Sequence, residues 1–556
     1  MIFESAKEKG KGRMFVFVYL LSLLCIGIGY LSILPLFEGF DETAHYSSLR
    51  QISDTGTIPL YGTSYLAQEV IDYQGPVPYG SGKPPFDHGM VYSKFFKQPE
   101  LVEQYQQTYR QHLPSIMYRP SNELNWQAQH PPLYYLLLVP LIKALDEFSF
   151  STQFFLLRLA SFFLALSGVA LGLLAVNQSN EPPERNPAMI GFLLYPIILP
   201  MFFSEFTRIG NDSLCIFFVG LVAYLFSLWL KDERNTKISV AIGIVLGMGL
   251  LTKAFFLPIT VALAMFLLTR LLLGKRDEVM RSERIWSLFQ IFLPAMFIGS
   301  GWYLYKLMIF GELTGSSEAI QLAHQGGLIA GLKANFSLYA LIRGVTATLV
   351  SYSWAGTWSL ARLPALLHLP LLALAIWVVF AYFRQLKLHR LTGPAWLPVW
   401  IFCFFAFGLI WHVIVGVALN GNGATPGWYL HILMPWAAPA IGMGISSIFQ
   451  HRHARVLLIV LLVYAVLYQI MALWSQLALF TGCATKGDDK SYVFSGSAFC
   501  IDQTSLLMDR MAVLGYPGLA VIGFSGGVIC FLWLLVKLWN ARHSISSVNV
   551  MHVGQK

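Results

Sequence analysis

"HPPLYYLLLVPLIKAL", residues 130–145, decides the topology of this chain. After its double proline the apolar run is only about 14 residues long, whereas a membrane-spanning helix needs about 20. That length suits an interfacial or re-entrant helix. If the run crossed the bilayer, the basic loops "KDERNTK" (231–237), "GKRDEVMRSER" (274–284), "RQLKLHR" (384–390) and "HRHAR" (451–455) would all lie outside. If it lies on the membrane, all four become cytoplasmic, on the side of "KEKGKGR" (7–13), and the positive-inside rule holds along the whole chain. The second reading is adopted.

Composition agrees, since 56% hydrophobic and only 12% charged residues describe a chain solvated by lipid. The mean hydropathy is +0.59. A net charge of +9 would suggest nucleic acid in a soluble protein, but here the basic residues cluster in short loops and set orientation. The first apolar segment has no small-residue cleavage site and reads as a retained helix.

The expected fold is an all-α polytopic membrane protein with about twelve spans, near 14–36, 154–176, 187–204, 213–231, 236–252, 255–273, 286–308, 366–384, 396–419, 431–449, 455–476 and 514–538. The chain then divides into a cytoplasmic N-terminus (1–13), the first span (14–36), an extracytoplasmic loop with interfacial helices (37–153) and a transmembrane core (154–308). A second outer loop (309–365), further spans (366–476), a third outer loop (477–513), the last span (514–538) and a cytoplasmic tail (539–556) follow. The first outer loop, over a hundred residues long, is far too long for a connector and reads as functional.

Cys25, Cys215, Cys403 and Cys530 fall within spans, while Cys483 and Cys500 share the last outer loop. For these two, a disulfide in an oxidising compartment and a pair of free thiols are the two readings.

The outer pieces carry the unusual polar residues. Asp41 and Glu42 follow the first span in "FEGFDETAHY", and His45, four residues after Asp41, would share its helix face. Taken alone, Asp41 reads first as a helix cap and second as a base at the water interface. His130 starts the interfacial helix; Arg208 and Asp212 occupy "EFTRIGND"; Lys253 tops a short hairpin; Arg343, Arg362 and His431 flank later outer segments. Cations at this depth are costly unless paired, and a lipid phosphate is the natural anion there. Snorkelling to the headgroups is the alternative for each one singly. Trp354 and Tyr429 lie in aromatic stretches that serve either as interface belts or as sugar-stacking platforms.

The order "FDETAHY", "QHPPLYYLL", "RIGNDSL", "LLTKAFFLP", "GWYLYKLMIFGELTG", "SYSWAGTW" and "GWYLHILMPWAAPA" resembles the C-type superfamily of membrane glycosyltransferases. It is nearest to a group of bacterial members and more distantly similar to protein O-mannosyltransferases and the aminoarabinose transferase of lipid A. The resemblance runs from about residue 14 to about residue 450 and rests on motif order, each motif being loose by itself.

It implies a polyprenyl-phosphate-linked sugar donor, an extracytoplasmic acceptor that is a glycan, lipid or protein, and inverting transfer at a bacterial cytoplasmic membrane, without nucleic acid. The family's base lands on Asp41, with Glu42 beside it, and a second acid on Asp212. His45, His130, Arg208, Lys253, Arg343, Arg362, Trp354, Tyr429 and His431 become candidates for substrate binding. No cofactor is assigned; some members of the superfamily use a divalent metal, for which Asp41, Glu42, Asp212 and His45 would be the ligands. Relatives usually read Gly-Arg-Tyr where this chain has Gly427-Trp428-Tyr429, so a charge role there is in doubt. The rival readings are a polymerase or ligase of lipid-linked glycans, a transporter or flippase, and a non-catalytic assembly factor. A transporter would be expected to show mid-span charges or internal repeats.

Overall fold

Long apolar runs give long helices, and among the described residues ten helices are long and apolar enough to cross a membrane, or eleven if the bent pair Gly327–Asn335 and Leu338–Tyr352 counts as one span. The structure, a computed structural model, describes residues 2–79, 84–111, 117–178, 186–274, 278–386, 391–487, 491–494 and 498–553. Parts of the basic loops at 274–284 and 384–390 lie outside the described residues. The protein is a multi-pass helical membrane protein.

The ten long helices match ten of the twelve expected spans; the other two, at 187–204 and 236–252, form shorter helices, Pro187–Ile198 and Thr236–Leu250. The first is cut by Pro200, which forces Leu199 out of the helical region (φ −124°, ψ 77°) before a second short helix, Met201–Phe206. The second starts on an Asn235 cap, whose side chain accepts from Ile238 N–H, and stops at the tight Lys253 hairpin. Both nonetheless join the two ends of the bundle. At one end Lys231 meets Gln178, Arg234 meets Glu283, and Arg284 meets Glu233, so these loops share one side. At the other end Leu251 accepts from Leu133 N–H of the proline-led helix.

That helix, Leu133–Ala144, has 12 residues, or about 18 Å of length, too short to span. Pro131 and Pro132 set its start. Helix crossings elsewhere are close because small residues meet: a Cβ on Gly220 would run into the Gly168 carbonyl, and one on Gly168 into that of Ile216. The first and last spans are also joined, Ser22 Oγ donating to Gly527 O at 2.9 Å.

The described residues between the first span and the helix Phe150–Val176 form a packed layer. Tyr46, Tyr73, Tyr92, Phe86 and Phe95 are all buried in it, and Tyr65–Ala67 pairs antiparallel with Pro120–Leu124. Arg50 ties the layer together from the helix Glu42–Thr55, its Nη1 lying 2.9 Å from Asp146 and its Nε 3.6 Å from Glu69. The segment after the helix Arg452–Phe480 carries the Cys483–Cys500 disulfide, with Cα atoms 6.4 Å apart.

Candidate active site

The turn between the first span and the helix Glu42–Thr55 positions Asp41. Asp41 sits at the N-cap position in the left-handed region (φ 61°) but makes no side-chain cap, a conformation that Asp tolerates better than most residues. Its Oδ1 instead accepts from Trp126 Nε1 at 2.8 Å. Gly39, two residues earlier, has no room for a Cβ, which would meet Glu42 and the Cβ of Arg208.

Glu42 faces a different set of partners. Its carboxylate is fully buried and takes four donors: Arg158 Nε and Nη2 at 2.7 and 2.6 Å, and the backbone N–H groups of Gly39 and Ile209, each at 3.1 Å. Arg158, an arginine inside the apolar helix Phe150–Val176, also donates to the carbonyls of Leu34 and Pro35. The fork clamps the Asp41 turn onto the Arg208 loop.

Beside Asp41 lies a buried ionic cluster from "SEFTRIGND" and the Lys253 hairpin. Lys253 Nζ is 2.9 and 3.0 Å from the two oxygens of Asp212. Arg208 Nη2 contacts Asp212 Oδ2 at 3.0 Å and Glu205 Oε1 at 2.6 Å, and Nη1 donates to Phe40 O at 3.0 Å. Burial pushes the Glu205 carboxyl above its usual range, against the pull of Arg208. Lys253 also sits over the rings of Phe255 (4.3 Å) and Tyr429 (4.6 Å).

His45 Nδ1 is 2.8 Å from Tyr135 Oη. Burial, then the charges of Arg208, His130 and Lys253, hold its pKa well below normal. For His130 burial and Lys253 push the pKa down to about 3. Both imidazoles are therefore neutral near pH 7. Trp354 and Trp428 form an aromatic wall around Phe40, whose ring stacks on Trp428 at 4.5 Å.

Of the expected residues, Asp41, His45, His130, Arg208, Asp212, Lys253 and Tyr429 gather in one region, with Trp354 reaching it through Phe40. Three do not. Arg343 is exposed and bonds Asn422. Arg362 is exposed beside a backbone bridge to Ser491. His431 is buried between Tyr195 Oη and Tyr352 O, each at 3.1 Å. Trp126, Tyr135, Glu205 and Arg158 escaped the sequence reading. Glu205 and Asp212 stand three before and four after Arg208, the spacing of side chains on one helix face, and an arginine within an apolar span demands a partner.

Three of the four candidate metal ligands already have partners. Glu42 is saturated by donors, Asp212 is held by two cations, and His45 by Tyr135. Among the described residues no three His, Cys, Asp or Glu side chains converge.

Fold and cluster define a multi-pass helical membrane protein with an ionic site at one end of its bundle. A family model described as dolichyl-phosphate-mannose-protein mannosyltransferase matches residues 130–299, less than a third of the chain. This match supports the C-type superfamily of membrane glycosyltransferases as the wider group. No curated protein sequence matches. Among solved structures, ArnT from Cupriavidus metallidurans in the apo state is 11% identical, with 94% of this chain and 76% of that one covered, at a TM-score of 0.41. The same protein bound to undecaprenyl phosphate is 11% identical, with 93% and 76% covered, at 0.42. The Archaeoglobus fulgidus oligosaccharyltransferase in the apo form is 13% identical, with 83% of this chain and 55% of that one covered, at 0.35.

Proposed function

We propose that this protein transfers a sugar from a polyprenyl-phosphate-linked donor to an extracytoplasmic acceptor by inverting single displacement, with Asp41 as the base. One observation carries the assignment: among the described residues, Asp41 is the carboxylate of the cluster that is partly exposed and has no cation bonded to it. Glu42, Glu205 and Asp212 are all locked to arginine or lysine.

Asp41 takes the proton of an acceptor hydroxyl or amine, which attacks the anomeric carbon as the bond from that carbon to the phosphate oxygen breaks. One base suffices, because no water is activated. Trp126 orients the Asp41 carboxylate, and the Arg158–Glu42 fork fixes the turn that presents it. Asp212 positions Lys253, while neutral His130 can bind phosphate only by hydrogen bonding. The Trp354–Trp428 wall offers faces for sugar stacking. Donor class is supported by the description of the matching family. An extracytoplasmic site is supported by its position opposite the basic loops, and a bacterial cytoplasmic membrane by the sequence resemblance. Clustering of ionisable groups at one end of the bundle weighs against a transporter.

The test is Asp41→Asn. Transfer, followed by mass analysis of lipid-linked sugars and surface glycans with and without the gene, should fall about 10²-fold or more, with thermal stability unchanged. Retained turnover would remove the base assignment.

A further inference from the structure

In the Asp212 cluster Lys253 and Arg208 bond to Asp212 and Glu205, and Arg208 Nε is a buried donor without an acceptor among the described residues. A second group of donors lies on the helix Glu278–Phe310. Lys306 is fully buried, and its Nζ has no hydrogen-bond or ion-pair partner among the described residues. It is flanked by the rings of Trp302 and Phe310, each at 4.9 Å. One turn before it, the buried Trp302 Nε1 also lacks an acceptor. Four residues apart on a helix, these two donors share a face.

The neighbourhood belongs to the site end of the bundle. Tyr303 donates to Leu250 O of the Lys253 hairpin at 2.9 Å. Ser317 N–H donates to Gln129 Oε1 at 2.8 Å, next to His130, and the charge of Lys306 acts on His130. Gly315 (φ 62°) packs on the Lys306 stem, where a Cβ would meet Cδ at 2.7 Å. An ammonium buried beside an indole N–H, neither with an acceptor, is unfavourable unless an anion binds there.

We propose that Lys306 and Trp302 are the donors of a buried phosphate-binding site, beside and separate from the Asp212 cluster. The ligand chemistry is a phosphate oxyanion, which accepts from Nζ and Nε1 and restores charge balance. Its assignment to the donor lipid rests on the function proposed above; the anion site itself does not.

The test uses the full chain in nanodiscs, titrated with a long-chain polyprenyl monophosphate, with inorganic phosphate and with the phosphate-free polyprenol. Wild type should bind a phosphate and ignore the polyprenol. Lys306→Gln should weaken that binding about 10- to 100-fold and Trp302→Phe about tenfold or less, while Lys306→Arg stays within a few-fold. Unliganded Lys306→Gln should melt no lower than wild type, because an unpaired buried charge is removed. Binding of the lipid phosphate alone assigns the donor headgroup, and displacement of the lipid by inorganic phosphate shows a site for the bare anion; both support the proposal. Unaltered phosphate affinity in Lys306→Gln and Trp302→Phe, or no binding of either phosphate by wild type, overturns it. Should phosphate bind through Lys306 while no sugar is transferred, the function fails and the site stands. Should Asp41→Asn abolish transfer while Lys306→Gln leaves donor dependence unaltered, the site fails and the function stands.

Discussion

The two ends of the helix bundle use the same chemistry to opposite effect. At the basic end Arg234 and Glu283 are 2.9 Å apart with side chains 62% and 28% exposed. At the other end Arg158 and Glu42 are 2.6 Å apart with side chains 3% and 0% exposed. An exposed pair exchanges one hydrated state for another and contributes about 0–1 kcal/mol. A buried pair has lost its water, so each ion depends on the other and on the hydrogen bonds around both. The buried pairs of the site end therefore fix the positions of particular atoms, which the exposed pair at the basic end does not.

The sharpest way to break this contrast is to remove one member of the buried fork. Glu42→Gln leaves the Arg158 guanidinium without a counter-charge at a site 3% exposed and should destabilise the protein by about 3–5 kcal/mol. The loss should show as a lower melting temperature in detergent and reduced accumulation in the membrane. Replacing both residues, as Glu42→Met with Arg158→Met, removes the unpaired charge and should recover only part of the stability, since the N–H groups of Gly39 and Ile209 and the carbonyls of Leu34 and Pro35 lose their partners, and it should not restore transfer. A Glu42→Gln protein as stable as wild type would show that the fork is not what holds this turn.

That fork also marks where the sequence stops being legible. The class, the long spans and the shortness of the helix at residues 133–144 follow from apolar length, because bilayer thickness is an external ruler. Apart from the family resemblance, which pointed to Asp41, the residues themselves did not separate Asp41 from Glu42, since consecutive residues differ only in direction, and direction is set by a left-handed Asp41 and by Arg158, over a hundred residues away. Arg343 and Arg362 looked like Arg208 in the sequence, yet both are exposed while Arg208 is buried against Glu205 and Asp212. Burial is a tertiary property, and no local pattern reports it.

A smaller effect comes from pH. His45 and His130 both have their pKa values pushed down by burial, with cationic neighbours adding to the effect, His130 to about 3. An unfolded histidine takes up its proton near pH 6.5, so below that pH the unfolded chain binds more protons than the folded one. Stability must then fall as pH drops from about 6.5, by at most about 1.4 kcal/mol per pH unit for each histidine. Glu205, pushed up by burial, acts in the other direction above its unfolded pKa and partly offsets the loss. His130→Gln should flatten the acid limb of a melting-temperature profile between pH 6.5 and 5, and a profile as steep as wild type would remove His130 from this account.

The smallest effect is expected at the basic end. Arg234→Ala removes the partner of Glu283, but both groups are open to water, and salt already screens what remains of their attraction. The change in stability should stay within about 0.5 kcal/mol and shrink further at high salt. Loss of positive charge should matter more for orientation than for folding, yet the neighbouring Arg270 and Arg284, both held by Glu233, leave the loop basic. Normal insertion and melting of Arg234→Ala, measured beside the damage in Glu42→Gln, would show that burial rather than the presence of an ion pair separates the two ends. A loss of stability close to that of Glu42→Gln would erase the distinction and make the basic end part of the folding core.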